Sequence, residues 1–190
     1  MSAKRFDPQN WERLLSSERQ TWQKVDTFFK IARLSPGEVW LDLGCGPGYF
    51  TLPLARRVAR VLAVDVSLEM RRICQKRLSE NNISNGEIYA TDGAHLPLTD
   101  GCVDRVLMAN VYHELDDPRP AIAEVHRVLR AGGKLYVIDW HPVETEVGPP
   151  LDHRIPKEQV VQSITAWAFR LVQDWDVFPY HYLLEFIPES

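Results

Sequence analysis

The stretch Val39-Trp-Leu-Asp-Leu-Gly-Cys-Gly-Pro-Gly-Tyr-Phe50 constrains this chain more than any other. Val39, Trp40, Leu41 and Leu43 are too apolar for an exposed strand. Gly44, Gly46 and Gly48 then recur at every second position. Glycine in such a turn permits positive φ and lets a ligand approach the backbone. Thr51, Leu52, Leu54, Ala55 and Val58 follow at helical spacing. The stretch therefore reads as a buried strand, a tight turn and a helix N-terminus, where free N–H groups attract an anion. A nucleotide-like ligand is the default occupant of such a turn.

The glycine spacing narrows the choice. Dinucleotide enzymes use G-x-G-x-x-G with an acid some 20 positions on, whereas here the pattern is G-x-G-x-G. No Lys-Ser/Thr pair follows, which argues against a phosphate-binding P-loop. Downstream, strands are expected at 61–65, 87–91, 103–109 and 134–140, alternating with helices at 49–58, 67–81 and 117–130. Leu68, Ile73 and Leu78 are the expected core contacts of the second of these helices. The interval 92–102 is too short for a full crossover helix. Alternation of this kind implies a parallel sheet with right-handed crossovers. Two last strands, near 174–178 and 181–187, are separated only by Phe178-Pro179-Tyr180 and must pair antiparallel. Upstream, helices are expected at 8–18, after Asp7-Pro8, and from Trp22 to Ala32 on one apolar face.

Asp42-Leu-Gly-Cys-Gly-Pro-Gly48 resembles the first signature of the class I S-adenosylmethionine-dependent methyltransferases. Ala94-His-Leu-Pro-Leu-Thr-Asp-Gly-Cys-Val-Asp-Arg-Val106 and Glu124-Val-His-Arg-Val-Leu-Arg-Ala-Gly-Gly-Lys-Leu135 are similar to two later passages of that family's type-11 branch. The resemblance spans roughly residues 36 to 140. It implies a Rossmann-like α/β fold: a mostly parallel seven-stranded sheet with an antiparallel C-terminal strand and helices on both faces. It implies S-adenosylmethionine as cofactor and transfer of a methyl group to a small-molecule acceptor. It places Asp42, Gly44, Cys45, Gly46 and Gly48 around the methionine end of the cofactor. Asp65 and Val66 fall at the ribose, Asp92, Gly93 and Ala94 at the adenine, and Asn110 and Val111 at the sulfonium. Asp65 also has a reading of its own: an acid ending the second strand, 17 positions after Gly48 (65 − 48), can accept hydrogen bonds from both ribose hydroxyls. Asp92-Gly93 reads equally as an Asx turn.

Topology places the acceptor. Ligands of open α/β sheets bind beyond the carboxyl ends of the parallel strands. His113 follows the fourth strand, His141 the fifth, and Tyr180-His181-Tyr182 opens the antiparallel last strand at the same edge. His113 and His181 are the expected catalytic residues, with Tyr180 shaping the pocket, because histidine titrates near neutrality and can take a proton from an acceptor. Structural histidines at loop ends are the competing reading.

Composition limits the rest. One domain is expected for 190 residues, with 1–35 as a helical lid, 36–140 as the cofactor-binding core and 141–190 on the substrate side. A net charge of -4 offers nucleic acid or anionic membranes no global attraction. The arginine clusters at 56–60 and 71–77, and His126, are expected to be solvated helix faces. Cys45, Cys74 and Cys102 lack zinc-ligand spacing and the paired thiols expected of arsenic methyltransferases, so no metal is expected, and they fit a reducing cytoplasm. The first ten residues lack an apolar signal core and no run is long enough to span a membrane. A non-catalytic S-adenosylmethionine-binding module and an RNA or protein methyltransferase are the alternative readings; a nicotinamide dehydrogenase is disfavoured by the glycine spacing.

Overall fold

A computed structural model describes residues 5–189; the first four residues of the expected lid, and of the segment read for a signal core, lie outside them. Seven strands form one sheet in the order β3-β2-β1-β4-β5-β7-β6. They are β1 (Val39–Leu43), β2 (Arg60–Asp65), β3 (Gly86–Ala90), β4 (Val103–Ala109), β5 (Leu129–Trp140), β6 (Phe169–Trp175) and β7 (His181–Pro188). All neighbours from β3 to β5 pair parallel, and β7 is antiparallel to both β5 and β6. The expected parallel sheet with its antiparallel last strand is therefore the observed one.

Alternation along the strands builds two cores. Leu41, Leu43, Val64 and Met108 face one side, where α5 (Pro118–Val128) and α6 (Lys157–Thr165) supply Ile122, Val125, Val160 and Ile164. Trp40, Val61, Leu107 and Tyr136 face the other, against Phe28 and Phe29 of α2 (Val25–Ala32) and Leu54 of α3 (Thr51–Ala55). Beside them α4 (Leu68–Glu80) packs through Cys74 and Leu78. The expected core contacts of α4 are only partly right: Leu68 is 52% exposed, and Met70 and Cys74 are buried in its stead. Ser67 caps α4 by accepting from the Met70 N–H, which places Leu68 at the first helical position, pointing outward.

The N-terminal segment departs most from the sequence reading. A 3-10 helix covers Pro8–Leu15, followed by a single turn, α1 (Arg19–Trp22). Lys24 has extended backbone, so Trp22 does not share a helix with Val25, Phe28 and Phe29. The sequence between the Pro-rich loop and the last strands predicts a helix over 156–171, but the observed helix ends at Thr165 and β6 begins at Phe169. His126 is not a solvated residue: it is half-buried with its ring edge-on to Phe169 at 5.3 Å. Trp167, Phe169 and Trp175 read as core residues in the sequence, and Trp167 departs from that: it is 39% exposed.

The sheet meets the glycine turn at a point without slack. Gly44 has φ +75, and a Cβ there would stand 2.3 Å from Val111 Cγ2. Gly44→Ala should cost about 2–4 kcal/mol in urea denaturation, from backbone strain and overpacking together. Adding Val111→Ala should recover the overpacking part only; full recovery would show that φ contributes nothing.

Candidate functional site

The carboxyl ends of β1, β2, β4 and β5 deliver four acids to one edge of the sheet. Asp42, on β1, is 2% exposed, and its Oδ2 accepts from Thr51 Oγ1 at 2.6 Å. Burial pushes its pKa up to about 6; the Thr51 bond and the more distant Arg19 oppose this, and Asp65 reinforces it. Asp65 ends β2 and holds the turn in place: Gly46 N–H donates to Oδ2 and Ser67 N–H to Oδ1, both at 2.8 Å. Burial raises its pKa as well. A carboxylate offers about four acceptor positions, so both oxygens keep capacity for a diol. Val66 follows, 37% exposed. Cys45 is buried with Cys74, and its thiol is pushed up by the Cys74 contact and by burial, which suits a small packing residue and not a nucleophile.

Asp92 is exposed and makes the Asx turn: Oδ1 accepts from Ala94 and His95 N–H at 2.8 Å each, and Oδ2 meets His95 Nδ1 at 2.9 Å. These contacts depress its pKa, the His95 bond first. Three of about four acceptor positions are thereby occupied. Gly93 and Ala94 are half-buried beside it.

Beyond β4 the chain turns sharply at Asn110, a non-glycine residue at φ 60. Asn110 and Gln23 exchange two amide hydrogen bonds of 3.1 Å, and Gln23 Oε1 also takes Arg19 Nε and Nη2 at 2.9 and 2.7 Å. Arg19 lies 3.9 Å over the Tyr49 ring, and burial lowers its pKa to about 10, so it stays charged at neutral pH. Phe6 N–H donates to Glu114 Oε1 at 3.1 Å. A Cβ built on Gly46 would have Leu14 as its nearest neighbour, 3.8 Å away. The N-terminal segment thus crosses the glycine turn and touches the ends of β1 and β4.

The expected catalytic residues are brought together, but in unlike states. His113 is 4% exposed, and its Nδ1 meets Asp139 Oδ1 at 2.7 Å. Asp139, on β5 and 1% exposed, also accepts from His113 N–H at 3.0 Å and Trp140 N–H at 2.8 Å. Burial pulls the His113 pKa down, yet the Asp139 charge and hydrogen bond outweigh it, and the net shift is upward. Next to it, burial raises Glu114 to about 7. His181 is fully buried, and among the described residues neither ring nitrogen has a hydrogen-bond partner. Burial, with the charges of Arg19, His141 and Arg154, holds it well below the usual histidine range. Its ring stacks on Trp22 at 5.4 Å and 10° and touches Trp140 at 4.0 Å. Tyr180 lies parallel to Trp140 at 6.4 Å. Each buried polar atom without a partner costs about 1–3 kcal/mol, so this histidine is not a satisfied core residue.

Sequence reasoning missed several residues here. Asp139 was read only as part of an apolar strand, although an acid among Val137, Ile138 and Trp140 is a signal in itself. Glu114 was passed over beside His113. Arg154 carried no signal: its guanidinium ties Val143, Val147 and Pro149 carbonyls and Thr145 Oγ1 together at 2.6–3.1 Å and lies 5.0 Å from the Trp140 ring. It fixes the Pro-rich loop 141–156 against the site.

Known proteins share this fold. Residues 41–137 match the family profile described as "Methyltransferase domain". The chain superposes on a crystal structure of a SAM dependent methyltransferase from Aquifex aeolicus with TM-score 0.92 and 26% identity, covering 96% of this chain and 98% of that one. It is 31% identical over 153 residues to a demethylmenaquinone methyltransferase of Thermobifida fusca, covering 80% of this chain and 62% of that protein. It is also 31% identical to an arsenite methyltransferase of Halobacterium salinarum, over 57% of this chain and 29% of that one. The chain spans less than two thirds of each of these two relatives. It belongs to the methyltransferase domain family. The class is S-adenosylmethionine-dependent, and S-adenosylmethionine is its cofactor. The residues fit that group: the turn is open at Gly46, an acid stands on either side of it, and a buried cation lies nearby.

The raised pKa of Asp42 has a thermodynamic consequence. A carboxyl that ionises near 4 when unfolded and near 6 when folded holds its proton more tightly in the native state. Stability should therefore fall as pH rises through that window. In cofactor-free buffer at pH 7, Asp42→Asn should raise unfolding free energy by about 1–3 kcal/mol, and the gain should vanish below pH 4. A variant less stable than the parent at pH 7 would contradict this assignment.

Proposed function

We propose that the protein methylates a small-molecule acceptor, with His113 as general base and Asp139 as the residue that positions it. One observation carries this reading: a buried His–Asp pair stands at the carboxyl ends of β4 and β5, beside the acids of the glycine turn. Bound S-adenosylmethionine supplies a sulfonium methyl, and the acceptor's lone pair forms the new bond as the carbon–sulfur bond breaks and its electron pair returns to sulfur. The chain supplies alignment and exclusion of water. Asp65 accepts from the ribose hydroxyls with Val66 alongside, and Asp42 faces the ammonium group. Gly44, Cys45, Gly46 and Gly48 line the methionine end, Gly93 and Ala94 border the adenine, and Asn110 and Val111 border the sulfonium. The remaining acceptor position of Asp92 serves the adenine amino group. Asp139 takes Nδ1 of His113, which leaves Nε2 to receive the acceptor's proton.

A non-catalytic binding module would need the turn and Asp65 but not an oriented base. The His113–Asp139 pair favours an enzyme. The demethylmenaquinone and arsenite methyltransferases among the relatives act on very different acceptors, so their names do not choose one here. Residues 141–189 and the N-terminal segment, which close the acceptor side, lie outside the matched profile. We assign the N-terminal segment as a lid, held to the site through Gln23 and Phe6.

Asp65→Ala should weaken S-adenosylhomocysteine binding by at least tenfold in calorimetry, through loss of charge-assisted hydrogen bonds of about 1.5–3 kcal/mol each. Unchanged affinity would remove Asp65 from the site. Once an acceptor is found, kcat/KM should rise with pH through an apparent pKa above 6.5, because His113 must be deprotonated. Asp139→Asn should lower kcat by about 10²-fold or more and move that limb to lower pH. An unmoved limb would exclude His113 as the titrating base.

A further inference from the structure

We propose, on the methyl-transfer reading above, that Glu114 is a latch that reads the charge of the bound cofactor. It holds the N-terminal segment while a sulfonium is present and loosens it once methyl transfer has left a neutral thioether.

Glu114 has no part in the steps derived so far, yet it joins two regions that the reaction must coordinate. It ends the 3-10 turn Tyr112–Glu114, and its N–H donates to the Val111 carbonyl at 2.9 Å. Val111 borders the sulfonium on that reading, so Glu114 stands one turn of chain away. Its side chain accepts the Phe6 N–H at Oε1, 3.1 Å away and 108 positions distant in sequence. The groups that face it come from every side of the crevice: Asp65 from the end of β2, Asp139 from β5, His113 from its own turn and the Phe6 amide from the N-terminal segment. A charge change in the crevice therefore acts on the same carboxyl that holds residue 6.

The other ties of that segment do not respond near neutrality. Gln23 exchanges neutral amide bonds with Asn110, and its carbonyl accepts from Tyr49 Oη at 2.6 Å. Arg19 and Tyr49 titrate at about 10 and about 12. Glu114 does respond. Burial, reinforced by Asp65 and Asp139, raises it to about 7 against the charge of His113 and the Phe6 bond. A nearby cation favours its ionised form. An ionised carboxylate accepts an N–H roughly twice as strongly as a neutral carbonyl does. Charge balances across the reaction: a carboxylate with a sulfonium is neutral, and so is a protonated carboxyl with a thioether. The proton that makes the difference is the one the acceptor gives up through His113.

The test needs no acceptor. Hydrogen exchange of residues 6–15 is measured on the full chain saturated with S-adenosylmethionine or with S-adenosylhomocysteine. At pH 7 the sulfonium form should protect these amides at least threefold more. The two ligands should protect equally at pH 9, where Glu114 is ionised with either, and equally at pH 7 in Glu114→Gln, whose amide oxygen still accepts from Phe6. Equal protection in the parent at pH 7, or a difference that persists in Glu114→Gln, would overturn the proposal. Calorimetry of the parent in buffers of different ionisation enthalpy gives a second readout that needs no variant. S-adenosylmethionine should release about 0.3–0.5 proton more than S-adenosylhomocysteine at pH 7, and its relative affinity should rise with pH through that window. Equal proton release would also overturn the latch. Failure of both ligands to bind would sink the methyl-transfer reading and the latch with it, whereas binding of both without these differences would sink the latch alone.

Discussion

The site depends on the reversal of strand order between β1 and β4. From β1 the sheet grows outward through β2 to β3, and on the other side through β4 to β5. Connections leaving the two central strands therefore diverge, and a crevice opens between their carboxyl ends. The chain fills the floor of that crevice tightly. Gly44 and Val111 meet there at a distance that no Cβ could tolerate. The glycine is thus required by the neighbouring strand as well as by any ligand. The same reversal sets Asp42 and Asp65 on one side of the crevice and the His113–Asp139 pair on the other.

Acids concentrated in such a crevice oppose folding. Asp42, Asp65 and Glu114 all have raised pKa values, and burial is the first cause for each. The chain offsets part of this with backbone N–H groups: Gly46 and Ser67 donate to Asp65, and Phe6 to Glu114. Among the described residues no salt bridge neutralises them, although the charges of Arg19 on Asp42, of Arg71 and Arg5 on Asp65 and of His113 on Glu114 oppose part of the shift. Arg19 is the buried cation nearest to hand, and it spends its donors on Gln23 and the Leu14 carbonyl. Negative charge only partly compensated in a buried crevice is what a cationic ligand can relieve, and a sulfonium and an ammonium are both cations. The structure therefore gives up stability where binding can return it.

The central sheet was legible in the sequence because its signals are local. Apolar runs bounded by Gly44, Asp65 and Ala109 mark strand ends to within a residue or two, and the short 178–180 connection forces an antiparallel pair. The N-terminal region was less legible. Trp22, Val25, Phe28 and Phe29 satisfy helical spacing, but Lys24 breaks the helix and sends Trp22 to a different surface. The period was right and the continuity wrong. His126 misled for a similar reason: its charged neighbours in sequence are not its neighbours in space, where Phe169 covers it. The three histidines were placed correctly at one edge because strand direction alone determines that. Their chemistry could not follow from placement. Whether a histidine is paired depends on Asp139, a residue of another strand, and whether one is orphaned depends on rings from three separate segments.

That difference between two neighbouring histidines carries a further consequence for how the site divides its work. His113 has one nitrogen fixed by a carboxylate, so its tautomer and orientation are set before any acceptor arrives, and its raised pKa makes it a proton acceptor with driving force. Among the described residues His181 has no such partner, and burial depresses its pKa, so it stays a neutral ring. A group in that state is poorly suited to hold a proton. The two imidazoles are thus set apart by environment and not by residue type. The carboxylate on β5 and the aromatic wall from α1, β5 and β7 each act on one imidazole. Exchanging the two environments would exchange the directions of the two pKa shifts.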